Sequence, residues 1–279
     1  MKISKSASRV LAGVLVAAVV VAGLAFSAQT AGARNPHTVC VGHKSIEQWN
    51  NLNQLGAQGL YPEIHGEEAS LTFNREQNDK YLSLDVAPSG DGAADYAASR
   101  ITEIDAALPV GERVKCWQPT DTRNLVAEFE VRFDQPVTPG LTENLVFWNA
   151  PFGENPIPIT TIGVSRSLST GGMYAAVVAQ NLVLEPFSGL MEVSPMPSWL
   201  DDTAWHRVRI TISTGSARIE VAQGEHPFTT VLETALLHPP EPLGFEFSID
   251  NEALPGMYIP VPFGDGVDVT AFEVRLAKK

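Results

Sequence analysis

Side chains able to do acid–base chemistry occur in two alternating runs of this sequence. Glu246, Asp250 and Glu252 are separated by even numbers of residues, with Ser248 between the first two, so on an extended strand they share one face. Glu128, Glu130, Arg132 and Asp134 repeat the pattern earlier in the chain. Two carboxylates on one strand face are what acid-assisted hydrolysis of an acetal needs, one to supply a proton and one to attack or to activate water. Arg132 marks the earlier run as a solvated, charge-paired face. That leaves Glu246, Asp250 and Glu252 as the alternative catalytic set. Serine chemistry has no signature, because Ser165 in Gly163-Val164-Ser165-Arg166-Ser167 lacks the second glycine of a nucleophile elbow.

Metal chemistry has little support. The six histidines include no pair two or four residues apart, so no zinc centre is expected. His206 shares the parity of Val208 and reads as a packed residue. Asp91 and Asp95 in a glycine-containing loop, and Asp265 and Asp268 around Gly266, are the candidate oxygen ligands for calcium, the one cofactor the sequence admits. Aspartates beside glycines also serve simply as turn formers.

The elements that must position these groups are strands. From Ala204 to Val221 the chain reads as a hairpin: Val208, Ile210 and Ile212 alternate with Arg207, Arg209 and Thr211, and Ala217, Ile219 and Val221 with Arg218 and Glu220. A turn around Thr214, Gly215 and Ser216 with an even number of residues keeps both apolar faces on one side, and sets Glu220 opposite Arg209 or Thr211. Similar alternation predicts strands at 71–73, 81–86, 124–134, 145–148, 160–165, 173–180, 229–232, 243–249 and 267–276. The last is read as Val267, Val269, Ala271 and Glu273 on one face. Residues 93–123 and 185–203 read as irregular connections. The strand count and near absence of helical periodicity predict an all-β, two-sheet antiparallel sandwich.

A basic start (Lys2, Lys5, Arg9), an uncharged apolar run from Val10 to Phe26 and then Ala31-Gly32-Ala33 have the layout of a secretory signal peptide at 1–33, with an uncleaved anchor as the alternative. Residues 34–65 are expected to be an N-terminal extension and 66–279 the sandwich domain. A secreted or cell-surface location follows, with no membrane contact after cleavage. The net charge of −13 becomes more negative once Lys2, Lys5 and Arg9 are removed, which excludes nucleic acid as a partner class. Two cysteines in an exported chain predict one disulfide, Cys40 to Cys116, against the alternative of two unpaired thiols. Oligomeric state is left open.

Three segments together resemble the concanavalin A-like lectin/glucanase superfamily, which includes laminin G-like modules, legume-type lectins and family 16 glycoside hydrolases. They are NLVAEFEVRFD followed by NLVFWNAPF, the hairpin WHRVRITISTGSARIEVAQG, and the final GVDVTAFEVRL. The resemblance covers residues 66–276 as an order of strands. It implies a jelly roll of two curved sheets, with carbohydrate bound on the concave sheet or at the loops on its rim. In family 16 enzymes the catalytic carboxylates lie on one strand as Glu-x-Asp-x-Glu, between the Phe-Trp strand and the Trp-His hairpin. The corresponding interval here, Thr161 to Ser165 and Tyr174 to Val178, has no carboxylate.

The expectation is therefore a non-catalytic lectin-like module that binds carbohydrate in a loop-lined groove. A polysaccharide hydrolase or lyase using the Glu246 set, and a structural or adhesive surface module, are the alternatives. Sugars stack their apolar faces on aromatic rings, so the candidate ligand-binding residues are Trp199, Trp148 with Asn149, Tyr174 and Tyr258. Trp199, in a proline-bounded loop, leads this group. Trp148 and Tyr174 read equally as packing residues.

Overall fold

The structure is a computed structural model. It describes residues 43–45, 52, 54–55, 60–76, 79–89, 95–103, 117–135, 141–148, 159–167, 172–180, 190–200, 202–254, 257–261 and 263–279. The cysteine pair, the leader, Asp91 and Asn149 lie outside the described residues, as do the side chains of Trp148, Tyr174 and Glu252.

In chain order the strands are β1 (His43–Ser45), β2 (Tyr61–His65), β3 (Ala69–Glu76), β4 (Asp79–Val86), β5 (Ala98–Thr102) and β6 (Arg123–Phe133). Then come β7 (Thr142–Trp148), β8 (Ile159–Ser167), β9 (Gly172–Gln180), β10 (Leu190–Pro195), β11 (His206–Ile212) and β12 (Ser216–Gln223). The last are β13 (Thr229–Ala235), β14 (Gly244–Asp250), β15 (Glu252–Leu254), β16 (Met257–Tyr258) and β17 (Asp265–Lys278). Sheet I has the order β13-β12-β11-β6-β17-β4-β3, with β1 also on β17; sheet II has the order β10-β9-β8-β7-β14-β5-β2. All pairings are antiparallel. This is the two-sheet jelly-roll sandwich that the alternation and the resemblance imply. β1 and β2 bring the 34–65 stretch into both sheets.

Each sheet turns its apolar parity inward. Phe129, Val131, Val208, Ile210, Val267 and Val269 of sheet I meet Leu145, Phe147, Ile162, Val164, Phe245 and Phe247 of sheet II, all buried. Rings join the layers: Phe272 lies 4.6 Å from Phe245 and 5.1 Å from Phe247, and Phe129 lies 5.5 Å from Phe247. These contacts remove apolar surface from water at about 25 cal/mol per Å², which is the main force holding the layers together.

The hairpin pairs Arg209 with Glu220 and Ile212 with Ala217, in the expected register. On the outward side of sheet I, Arg209 lies 3.1 Å from Glu128 and 3.8 Å from Glu220, and Arg275 lies 3.3 Å from Glu128. Glu128 of the early acidic run is thus shared between two arginines.

β17 departs from the sequence reading. A register shift between Thr270 and Glu273, with Ala271 at φ 46°, inserts a bulge. The extra residue reverses the parity, so Val267 and Val269 point inward before it and Phe272 and Val274 after it. Ala271 is exposed, and Glu273 pairs with Arg275 at 2.8 Å.

Candidate functional site

The outward face of sheet II collects most of the polar side chains singled out above. On β14, Phe245, Phe247 and Ile249 point into the core, which turns Glu246, Ser248 and Asp250 outward. Register then fixes their neighbours. Ser248 lies between Arg100 of β5 and Asn144 of β7, Glu246 lies between Thr102 and Val146, and Glu63 of β2 lies beyond Arg100.

Arg100 is the centre of this group. Its Nε is 3.5 Å from Glu246, its Nη2 3.9 Å from Asp250 and its Nη1 4.0 Å from Glu63. Nη2 also donates to the Tyr96 hydroxyl at 3.3 Å. Only 5% of Arg100, 9% of Glu246 and 5% of Asp250 is exposed. Burial acts against the guanidinium charge, but Glu246, then Tyr96, Asp250 and Glu63, hold its pKa above the ordinary arginine value. Burial likewise pushes the Glu246 carboxyl up; Arg100 and the Ser248 hydroxyl pull it down without cancelling the effect, and Glu63 adds to it.

Glu246 and Asp250 are four residues apart on one strand, about 14 Å along its axis, and each turns toward Arg100. Glu252 does not continue the row: it starts β15, opposite Tyr258.

The other half of the face is uncharged. On β8, Ile162 and Val164 are buried inward, so Thr161, Gly163 and Ser165 occupy the outward positions. The Ser165 hydroxyl donates to Asn144 Oδ1 at 2.8 Å. A side chain at Gly163 would meet the backbone of β7, because a Cβ there would lie 2.6 Å from Val146 Cα and closer still to the Leu145 carbonyl oxygen. The described outward positions of β7 and β8 are therefore Thr142, Asn144, Val146, Thr161, Gly163 and Ser165, without a carboxylate. Trp148 is at the register position opposite Thr161, and Tyr174 opposite Ser165.

An aromatic wall borders the charged half. Tyr96 stands between His65 and Tyr258, at ring-centroid distances of 5.3 and 5.2 Å. Asn251, buried at the end of β14, holds the wall together. Its Oδ1 accepts from the Ala97 N–H at 2.9 Å, and its Nδ2 donates to the carbonyls of Asp95 at 2.8 Å and Ile259 at 3.2 Å. Sequence reasoning missed Arg100, Tyr96 and Asn251. The only signal for Asn251 was an amide directly after a strand flanked by loops.

Trp199 takes a different place. It belongs to a 3-10 turn (Ser198–Leu200) and packs half-buried on the core, 5.3 Å from the ring of His206. His206 is fully buried, with Nε2 2.6 Å from Asp202 Oδ1. Burial raises the Asp202 carboxyl, but the Ala204 N–H and His206 together bring it below the usual carboxylate range. The structure thus sets Tyr258 against Tyr96 beside the Arg100 group and packs Trp199 on the core.

The candidate calcium ligands are turned to other partners. Asp268 accepts from Arg132 Nη2 at 2.6 Å and from the Ser83 hydroxyl, and Asp265 lies 3.5 Å from Arg166. Asp95 is exposed and supplies its carbonyl to Asn251. Among the described residues no group of three or more His, Cys, Asp or Glu side chains is arranged to hold a metal ion.

No protein-family description matches the chain, and no curated protein matches it. Solved structures of similar fold include the β-glucanase of Bacillus licheniformis, 12% identical, with 85% of this chain and 97% of that one aligned at a TM-score of 0.49. A family 16 enzyme from a mixed-linkage-glucan locus of Bacteroides ovatus, solved with its product, is 10% identical over 78% of this chain and 94% of that one, TM-score 0.49. A pseudo β-1,3-glucanase of Mycobacterium tuberculosis, described as an immunostimulatory antigen, is 12% identical over 79% and 91%, TM-score 0.48.

Proposed function

We propose that this protein is an exported, non-catalytic carbohydrate-binding module whose ligand lies on the outward face of sheet II, along the polar row from Glu63 to Ser165 and against the Tyr96–Tyr258 wall. The observation that carries the reading is Gly163. The central outward position of β8 has no room for any side chain, and its neighbours Thr161 and Ser165 offer hydroxyls in place of carboxylates. A hydroxyl and amide row on β7 and β8, with the Tyr96–Tyr258 rings bordering the charged half of the same face, suits the hydrogen-bonding rim and apolar face of a sugar. Three carboxylates around one guanidinium repel acidic glycans, so the ligand is a neutral one.

The test is a glycan array probed with residues 34–279 and with its Tyr258→Ala variant. Binding to neutral glycans that the variant loses supports the reading; no binding to any glycan sinks it.

A hydrolase on the same face is the second reading. The observation favouring it is Glu246, whose carboxyl is pushed up as a general acid's would be. It requires release of reducing ends from a polysaccharide panel, abolished by Glu246→Gln. A panel that yields none removes it.

A further inference from the structure

Away from this face, two carboxylates converge on the final strand. Gly266 of β17 pairs with Asp85 of β4 on one side, and its carbonyl accepts the Asp134 N–H from the end of β6 at 3.0 Å on the other. A Cβ on Gly266 would lie 2.7 Å from Asp134 Oδ2 and nearer still to Asp85 Oδ1. Both oxygens therefore occupy the space that a side chain at 266 would fill, one from each flanking strand.

The cations around them are engaged elsewhere. Arg132 of β6 is held by Asp268 at 2.6 Å and Glu76 at 3.3 Å. Arg166 of β8 is held by Glu143 at 3.1 Å and Asp265 at 3.5 Å. From β3, the Ser70 hydroxyl donates to Asp85 at a long 3.4 Å. From β17, Asp265 and Asp268 add two further negative charges. The groups facing the pair are thus Asp265 and Asp268, which disfavour ionisation of both carboxyls, and Arg132 and Arg166, which oppose them at Asp134.

We propose that Asp85 and Asp134 share a proton over Gly266, so that β17 is clasped more firmly between β4 and β6 at mildly acidic pH than at neutral pH. Two carboxylates crowded over one glycine repel each other, and a shared proton relieves that repulsion. The electrostatics agree. Burial, then Asp134, Asp268 and Asp265, pushes the Asp85 carboxyl up to about 6 against a weak opposing pull from Ser70. Burial, Asp268 and Asp265 raise Asp134 as well, opposed by Arg132 and Arg166. A carboxyl whose folded pKa is raised binds its proton more tightly when folded. Its contribution to stability is complete below the ordinary value of 3.8 and is lost as pH rises through about 6.

The test compares thermal unfolding of the protein and its Asp85→Asn and Asp134→Asn variants between about pH 5 and 7.5, with a carboxyl-carbon NMR titration of Asp85 in the unaltered chain. The expected result is that each variant gains about 3 °C in Tm over the unaltered chain at the neutral end, and that the gain vanishes at the acidic end. Asp85 should titrate near 6. Parallel Tm curves, or an Asp85 midpoint at the ordinary aspartate value, overturn the proposal. So does a millimolar calcium addition that raises Tm at neutral pH in the unaltered chain and not in the variants, because a metal ion then takes the place of the proton.

Discussion

Arg100 and Glu246 face each other across adjacent strands of sheet II, Nε to Oε1 3.5 Å apart, with nearly all of both side chains out of water. Asp250 draws on the same guanidinium at 3.9 Å. Replacing the cation leaves Glu246 and Asp250 buried without the positive charge that Arg100 supplies. Arg100→Met is expected to lose about 3–5 kcal/mol of stability in denaturant unfolding. Adding Glu246→Gln should restore part of the loss, since one of the stranded charges is then gone. A freely tolerated Arg100→Met would show that this group is not an electrostatic unit.

Gly163 makes a steric prediction. Its Cβ position collides with the backbone of β7, which cannot swing aside as a side-chain tip would. Gly163→Ala should cost about 1–3 kcal/mol, read as a fall in the denaturation midpoint at unchanged m-value. Gly215, where an added Cβ meets nothing within 4 Å, supplies the control, and Gly215→Ala should leave the midpoint nearly where it was.

Trp117 and Glu103 form a buried polar contact that ties a connection to sheet II. The indole N–H donates to Glu103 Oε2 at 2.6 Å, the Phe245 N–H donates to the same oxygen at 3.3 Å, and Trp117 exchanges backbone hydrogen bonds with Leu243. Glu103→Ala strands both donors and should cost about 1–3 kcal/mol for each, so it is expected to be more damaging than Trp117→Phe. Tryptophan fluorescence during unfolding reads the first, and circular dichroism reads both.

Two aromatic variants separate packing from binding. Trp199→Ala removes a ring from the core and should lower stability by about 2 kcal/mol while leaving retention on a glycan affinity gel intact. Tyr258→Ala should do the reverse. If Trp199→Ala abolishes retention at full stability, the ligand sits at the Trp199 turn and not on sheet II.

Strands with one face in the core and one in water were legible from alternation, as in β6, β11 and β12; turn parity left Arg209 and Thr211 open as partners of Glu220, and the structure pairs it with Arg209. β5 was not. Ala98–Thr102 is buried at every position, and a buried arginine in its middle reads like a surface residue when its three carboxylate partners are distant in sequence. β2 was missed for a related reason: Pro62 interrupts a run that only an edge strand tolerates. β10 was hidden in a segment that proline and methionine made to look irregular.

The bulge at Ala271 defeated a strict two-residue count, because one extra residue sends Phe272 and Val274 to the face assigned to Val267 and Val269. At the candidate site, Glu246 and Asp250 were legible as a shared face and Tyr258 as a loop aromatic. Arg100, which neutralises the first two, and Asn251, which places the third, were not, since both act through contacts across strands and loops.

The outer strand of sheet II has a further consequence for how copies of this protein meet. β2 is only five residues long, carries Pro62 at its second position and exposes 45% of Ile64. Among the described strands β2 lies at one end of the sheet order, and an edge strand is a template on which a neighbour's strand can dock. Proline cannot donate to such a partner, so the rim offers an interrupted row of N–H groups. The sandwich thereby ends in a strand that resists edge-to-edge polymerisation.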